Sequence, residues 1–126
     1  MSLLASVIVP VYNAEAAICR CLDGILSQTV PLERYEVIVV DDGSQDNTAA
    51  AAAKYGVRVV SQQHSGPAAA RNRGAQLAQA PFLVFTDSDC VPTTDWLAAL
   101  LGPFQDPEIV GTKGTYRTSQ PEITAR

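Results

Sequence analysis

The chain has 126 residues, 47% of them hydrophobic and 17% charged, and carries a formal net charge of −4. That is about one domain, with enough apolar material for a sizeable core and a composition far from that of a disordered chain. The acidic balance, without any basic run interleaved with aromatics, argues against nucleic acid as a partner.

The first element is "LLASVIVPV" (3–11), a nearly continuous apolar run of the kind shown by a strand buried on both faces. Pro10 belongs near its end, because proline removes a ladder donor from a central strand. Asn13 is placed to cap a helix over 14–28, with Glu15 in the first turn, where a carboxylate complements the helix dipole. Ile18, Cys21, Leu22, Ile25 and Leu26 recur at helical spacing and form one apolar stripe. "YEVIVVDD" (35–42) predicts a second buried strand. Gly43 then turns the chain, and Ser44, Asp46 or Asn47 caps an alanine-rich helix of 47–55 that Gly56 ends. "VRVVS" (57–61) predicts a short third strand, and "QQHSG" leads into a helix in "PAAARNRGAQLAQ" with Pro67 in its first turn.

"PFLVFTD" (81–87) predicts the fourth strand, and Thr93 or Thr94 caps a helix running through "DWLAALLGPF" to Gly102 and Pro103. A fifth strand is placed in "EIVGTKGTYRT" (108–118), and residues 119–126 read as a tail. Residues 1–126 thus form a single domain, or part of one, in which strands alternate with helices. That pattern is an α/β fold with a mainly parallel sheet, whose parallel strands share one carboxyl edge.

No apolar stretch reaches the roughly 20 residues that a membrane-spanning helix needs, and no signal-peptide pattern opens the chain. Cys19 and Cys21 are one residue apart, which suits neither a zinc knuckle nor a CxxC redox pair. With Cys90 they read as free thiols in a reducing cytoplasm, membrane association being reserved for a longer form of the protein.

Three polar clusters, "PVYN", "DDGS" and "DSD", stand at strand ends. Ligands of open α/β sheets bind outside the carboxyl ends of the strands, so the three would line one crevice. Taken alone, a D-x-D is most often a polar turn that caps a helix. At a strand end, Asp87 and Asp89 read instead as hard oxygen ligands for Mg2+ or Mn2+, a cation that relieves their repulsion and leaves positions for phosphate oxygens. Asp41 and Asp42 face opposite sides of an extended strand and so have different jobs. Asp42, nearer the loop, either accepts a hydrogen bond from a nucleobase N–H or a ribose hydroxyl, or closes a strand–turn–helix junction.

Arg71 has the forked guanidinium that suits phosphate oxygens, whereas Arg73 reads as part of a solvated face. His64 is a loop hydrogen bonder or a phosphate contact, the first being the commoner use of a lone loop histidine, and Trp96 reads as core. With one histidine, no G-x-S-x-G and no Walker A pattern, triad hydrolase and P-loop readings fail. A phosphoacceptor receiver domain would need an acidic pair after the first strand, where this chain has "PVYN".

"SVIVPVYNAE", "VIVVDDGSQD", "GPAAARNRG" and "FTDSDC", in this order and spacing, resemble the motifs of family 2 glycosyltransferases of the GT-A fold. The resemblance runs over roughly residues 4 to 112. It implies a Rossmann-like, three-layer α/β/α architecture, incomplete in this chain, and an enzyme of hexosyltransferase type. Such enzymes move a sugar from a nucleotide diphosphate donor, here a UDP-sugar, to an acceptor hydroxyl with inversion, using Mg2+ or Mn2+.

By position, the resemblance implies that Pro10 and Tyr12 border the nucleobase and that Asp42 binds it, usually uracil. Glu15 would approach the ribose and Arg71 would lie near the nucleotide. Asp87 would contact ribose or metal, and Asp89 would coordinate the cation that bridges both phosphates. The acceptor, whether glycan, lipid or small molecule, is not readable from these motifs. The family's general base lies in a later segment, and none of Asp95, Asp106, Glu108 and Glu122 stands in a motif that matches it. The expectation is therefore a donor-binding portion whose catalytic base is absent from this chain. A nucleotide-sugar binding module without turnover would carry the same motifs. An incomplete sheet would also leave apolar surface on which a second copy of the chain could pair.

Overall fold

The unbroken apolar run near the start becomes β1 (Ala5–Val11), buried at every position. The computed structural model describes residues 2–105 together with short strands at 112–114 and 123–125. β1 lies between β2 (Tyr35–Asp41) and β4 (Phe82–Phe85), both parallel to it, and β3 (Arg58–Ser61) continues the parallel sheet beyond β2. Beyond β4 come β6 (Ile123–Ala125) and β5 (Thr112–Gly114), which run antiparallel to their neighbours, in the order β3-β2-β1-β4-β6-β5.

The strands alternate their side chains between two apolar layers, as period-2 geometry requires. On one face Val7, Val9 and Val39 pack with Ile18, Leu22 and Ile25 of α1 (Glu15–Ile25), Ala52 of α2 (Thr48–Ala53) and Leu97 and Leu100 of α4 (Trp96–Leu101). On the other, Ile38 and Val40 meet Ala70 of α3 (Pro67–Leu77). The result is the expected three-layer α/β/α arrangement. Trp96 lies in the first core, 6% exposed, as its helical spacing predicts.

Successive strands step from β1 to β2 to β3, and the chain then returns to the far side of β1 to form β4. Right-handed crossovers in opposite directions put their helices on opposite faces, which is why α3 stands alone. It also sits close. A Cβ on Gly74 would collide with Ile8 Cγ2 on β1 and lie 3.2 Å from Ile8 Cγ1.

Several boundaries differ from the sequence reading. Asn13 does not cap α1, whose cap position is Ala14 with no side-chain cap. It adopts a left-handed backbone (φ 47°), which asparagine tolerates. Its side-chain oxygen accepts the Gln45 N–H at 2.8 Å, and its own N–H donates to Ser44 Oγ at 2.8 Å. The Ala14 N–H donates to Thr48 Oγ1 at 3.0 Å, so the first two strand–helix turns are tied together. At α2, Asp46 accepts the Thr48 N–H at 3.0 Å. At α4 the cap position is Asp95, whose carboxylate takes the Thr93 hydroxyl at 2.8 Å. β5 falls within the expected fifth strand. Ile123–Ala125, expected in a tail, pair with β4 instead, because that edge offers unpaired backbone groups. The rest of 108–118 and 119–126 lies outside the described residues. Among the described residues, no helix is long and apolar enough to cross a membrane.

Gly74→Val should overpack the seat of α3 on β1 and cost about 1–3 kcal/mol. A urea-unfolding midpoint equal to wild type would contradict this packing.

Candidate functional site

The reversal of strand order falls between β1 and β4, and such a switch point leaves a crevice at the carboxyl edge that no crossover fills. Pro10, Val11 and Tyr12 leave β1 on one side of it. On the other, β4 stops pairing at Phe85, two residues sooner than the apolar run predicts, so Asp87 and Ser88 are free to turn into the gap. These residues, with Asp42, His64, Pro67 and Ala70, line a cleft of about 220 Å³.

Asp41 and Asp42 do have different roles. Asp41 stays within the β2 turn and its neighbour strand, accepting the Ser44 N–H at 3.2 Å and the Ser61 hydroxyl at 3.3 Å. Asp42 reaches the loop before α3 and is only 3% exposed. Its Oδ1 accepts Gln62 Nε2 at 2.8 Å and the Ser65 N–H at 2.9 Å, while Oδ2 accepts the Gly66 N–H at 2.9 Å and faces His64 Nδ1 at 3.0 Å. Burial alone would push this carboxyl up. The hydrogen bonds from Gln62, Ser65 and Gly66, with the charge of His64 when protonated, outweigh it and hold the group below its ordinary value. The loop can come this close because Gly43 has φ 83° and no side chain, where a Cβ would lie 2.9 Å from the His64 nitrogen.

The second acidic group is organised differently. Arg71, on α3, donates to Asp87 Oδ1 at 3.3 Å, and both side chains remain partly exposed. Asp89 is exposed, and ligand atoms of Asp87, Asp89 and Cys90 all lie within 4.8 Å of one another. The two carboxylates of this set would suit Mg2+ or Mn2+, supplying hard oxygens on an open rim with room for water or phosphate, whereas the buried Cys90 sulfur is a softer donor. Beneath it, the Cys90 thiol contacts Asp89 Oδ1 at 3.8 Å, and the buried Cys21 thiol donates to the Asp87 carbonyl at 3.7 Å. Burial, with Cys90 and the two aspartates adding to it, pushes the Cys21 thiol up to about 12, so it stays protonated. None of the three cysteines is in a disulfide.

The structure therefore brings Pro10, Tyr12, Asp42 and Asp87 to one cleft, with Arg71 joined to Asp87 by an ion pair and Asp89 standing beside Asp87 on the exposed rim. Glu15 does not join them: it opens α1 as an exposed residue and is not among those lining the cleft. Sequence reasoning gave Gln62 no role and His64 only a loose one. Spacing carries no signal for a side chain that reaches back across a loop.

A three-layer α/β/α fold on a largely parallel sheet is that of the GT-A glycosyltransferases, and the chain is similar to solved members of that class. Residues 6–126 match the family described as Glycosyl transferase family 2, and the chain belongs to it. It is 41% identical over 98 residues to glycosyltransferase AglE of Haloferax volcanii, a match covering 73% of this chain and 32% of that protein. It is similar to the mannosyltransferase PcManGT from Pyrobaculum calidifontis, solved with GDP-Man and Mn2+: TM-score 0.81, 30% identity, 90% of this chain and 35% of that one. It is also similar to glucosyl-3-phosphoglycerate synthase from Mycobacterium tuberculosis, solved with Mn2+, UDP and glucosyl-3-phosphoglycerate: TM-score 0.78, 31% identity, 91% and 44% coverage. The chain thus spans less than half the length of each of these relatives.

Because Asp42 titrates below its ordinary value of 3.8, its stabilising contribution is complete above that value and is lost as pH falls through the lower folded-state value. Asp42→Asn puts an amide N–H against donors and should cost about 1–3 kcal/mol at pH 7. In urea titrations the gap to wild type should narrow below about pH 4. A gap that stays constant into strong acid would contradict the charged, hydrogen-bonded carboxylate.

Proposed function

We propose that this chain carries the donor site of an inverting, cation-dependent glycosyltransferase that takes a UDP-sugar. One observation carries the reading: the ends of β1, β2 and β4 place an apolar wall, a buried, hydrogen-bonded carboxylate and an open pair of carboxylates around one crevice at the switch point. The wall fits a base, the open pair fits a cation with a diphosphate, and the crevice lies between them. Similar structures solved with Mn2+ and UDP support a nucleotide and a cation as the ligands of such a site.

In this reading Pro10 and Tyr12 form the flat surface against which the base lies, and Asp42 faces its polar edge. Asp89 and Asp87 hold Mg2+ or Mn2+, Asp87 also lying within reach of the ribose, and Arg71 keeps Asp87 turned toward the crevice. The cation would offset the charge that develops on the leaving diphosphate. The acceptor oxygen attacks the anomeric carbon from the face opposite the diphosphate, one C–O bond forming as the other breaks, which inverts the centre. The acceptor's proton passes to a base, and among the described residues we assign none to that role. Three cysteines outside any disulfide, two of them buried, fit a site that works in the reducing cytoplasm.

Calorimetry with UDP and Mn2+ tests the assignment. Wild type should bind in a metal-dependent way, and Asp89→Ala should weaken binding by at least about tenfold. Equal binding by Asp89→Ala would overturn the metal assignment.

A further inference from the structure

Three donors bond the Asp42 carboxylate, which offers about four lone-pair positions, and the His64 imidazole stands beside the remaining one. In this structure, then, the imidazole stands at the Oδ2 position from which a ligand would donate. Two of the donors are the backbone N–H groups of Ser65 and Gly66, at 2.9 Å each, fixed by the entry to α3. The third is the Gln62 side chain. His64 Nδ1 lies 3.0 Å from Asp42 Oδ2 and 3.1 Å from the Asp42 carbonyl oxygen. Both are acceptors, so Nδ1 carries the proton. The same imidazole lies against Tyr12, ring centroids 4.2 Å apart and planes tilted by 32°. A flat ring in contact with Tyr12, with a ring N–H aimed at Asp42, is the set of contacts a nucleobase would make in this cleft.

Resting on the donor-site reading above, we propose that His64 is a placeholder for the nucleobase, which must displace its imidazole from Tyr12 and from Asp42 Oδ2. His64 is built to leave. Its side chain is 58% exposed, whereas its backbone is pinned against Gly43, so the ring can rotate outward without moving the loop. Ser65, Gly66 and Gln62 still hold Asp42 when it does. With the imidazole lining it, the cleft is about 220 Å³. That is smaller than the roughly 300–1,000 Å³ of complete small-molecule sites. The exchange also selects the base. Uracil N3–H and guanine N1–H replace the imidazole N–H on Asp42, whereas cytosine N3 and adenine N1 would turn a lone pair toward the carboxylate.

Removing a competing side chain raises apparent affinity by the fraction of time that it blocked the site. His64→Ala should therefore bind UDP with Mn2+ about three- to tenfold more tightly than wild type. UMP should show the same gain, and pyrophosphate with Mn2+ none. In the wild-type chain, an NMR Overhauser contact between the Tyr12 and His64 rings should be present without nucleotide and vanish on saturation with UDP. Equal or weaker binding of UDP by His64→Ala, a gain with pyrophosphate, or a ring contact that survives saturation would overturn the placeholder alone. Failure of both proteins to bind UDP with Mn2+ would overturn the donor-site reading, and the placeholder with it.

Discussion

The reversal of strand order at β1 is the constraint from which the site follows. β1 is hydrogen-bonded on both sides, to β2 along its full length and to β4 over its first half, so its carboxyl end is held while the chain beyond it departs toward α1. Because α3 crosses the opposite face, the space between the ends of β1 and β4 is left without a helix above it. The two walls are braced separately. Asn13 and Ala14 are tied to Ser44, Gln45 and Thr48 on one side, and Arg71 is tied to Asp87 on the other. Close approach of α3 at Gly74 brings Arg71 near enough to make that last contact.

The acidic groups in this crevice are compensated in different ways, and the difference separates their chemistry. Asp42 is buried, and the protein's own donors satisfy it. It therefore has a fixed position and a charge that needs no ion. Asp87 has one guanidinium partner at its edge, and Asp89 stands in water. Their mutual repulsion is only partly relieved, and a hard cation, as proposed, would relieve the remainder. One finished and one unfinished carboxylate group is what the proposed donor, with a polar base at one end and a diphosphate at the other, would need.

The fold was legible because its strands are buried on both faces, which turns them into unbroken apolar runs that no amphipathic helix imitates. Strand ends carrying "DDGS" and "DSD" were legible for the same reason, since polar residues stand out where such a run stops. The caps of α1 and α4 were not, whereas Asn47 at α2 and Pro67 at α3 stand where the sequence put them. Asn13 looks like a cap in one dimension, but its bonds go to residues of the next turn, which are adjacent only once β1 and β2 have paired. The link from His64 to Asp42 was hidden likewise, because it depends on the register of β2 with β3. Glu15 shows the converse. Its place in the first turn was read correctly, yet that turn points it to solvent rather than to the cleft.

On the proposed reading, Tyr12, Asp42 and the Asp87–Asp89 pair serve one ligand. Paramagnetic broadening of amide NMR signals by Mn2+ in the presence of UDP tests it most directly, since the ion reports distance from wherever it is held. Signals from residues 87–90, Arg71, Tyr12 and the 62–66 loop should broaden together, and only when UDP is present should those of Tyr12 and the loop shift as well. Broadening at 87–90 with no UDP-dependent change at Tyr12, Asp42 or the loop would mean that the cation and the base pocket belong to separate sites.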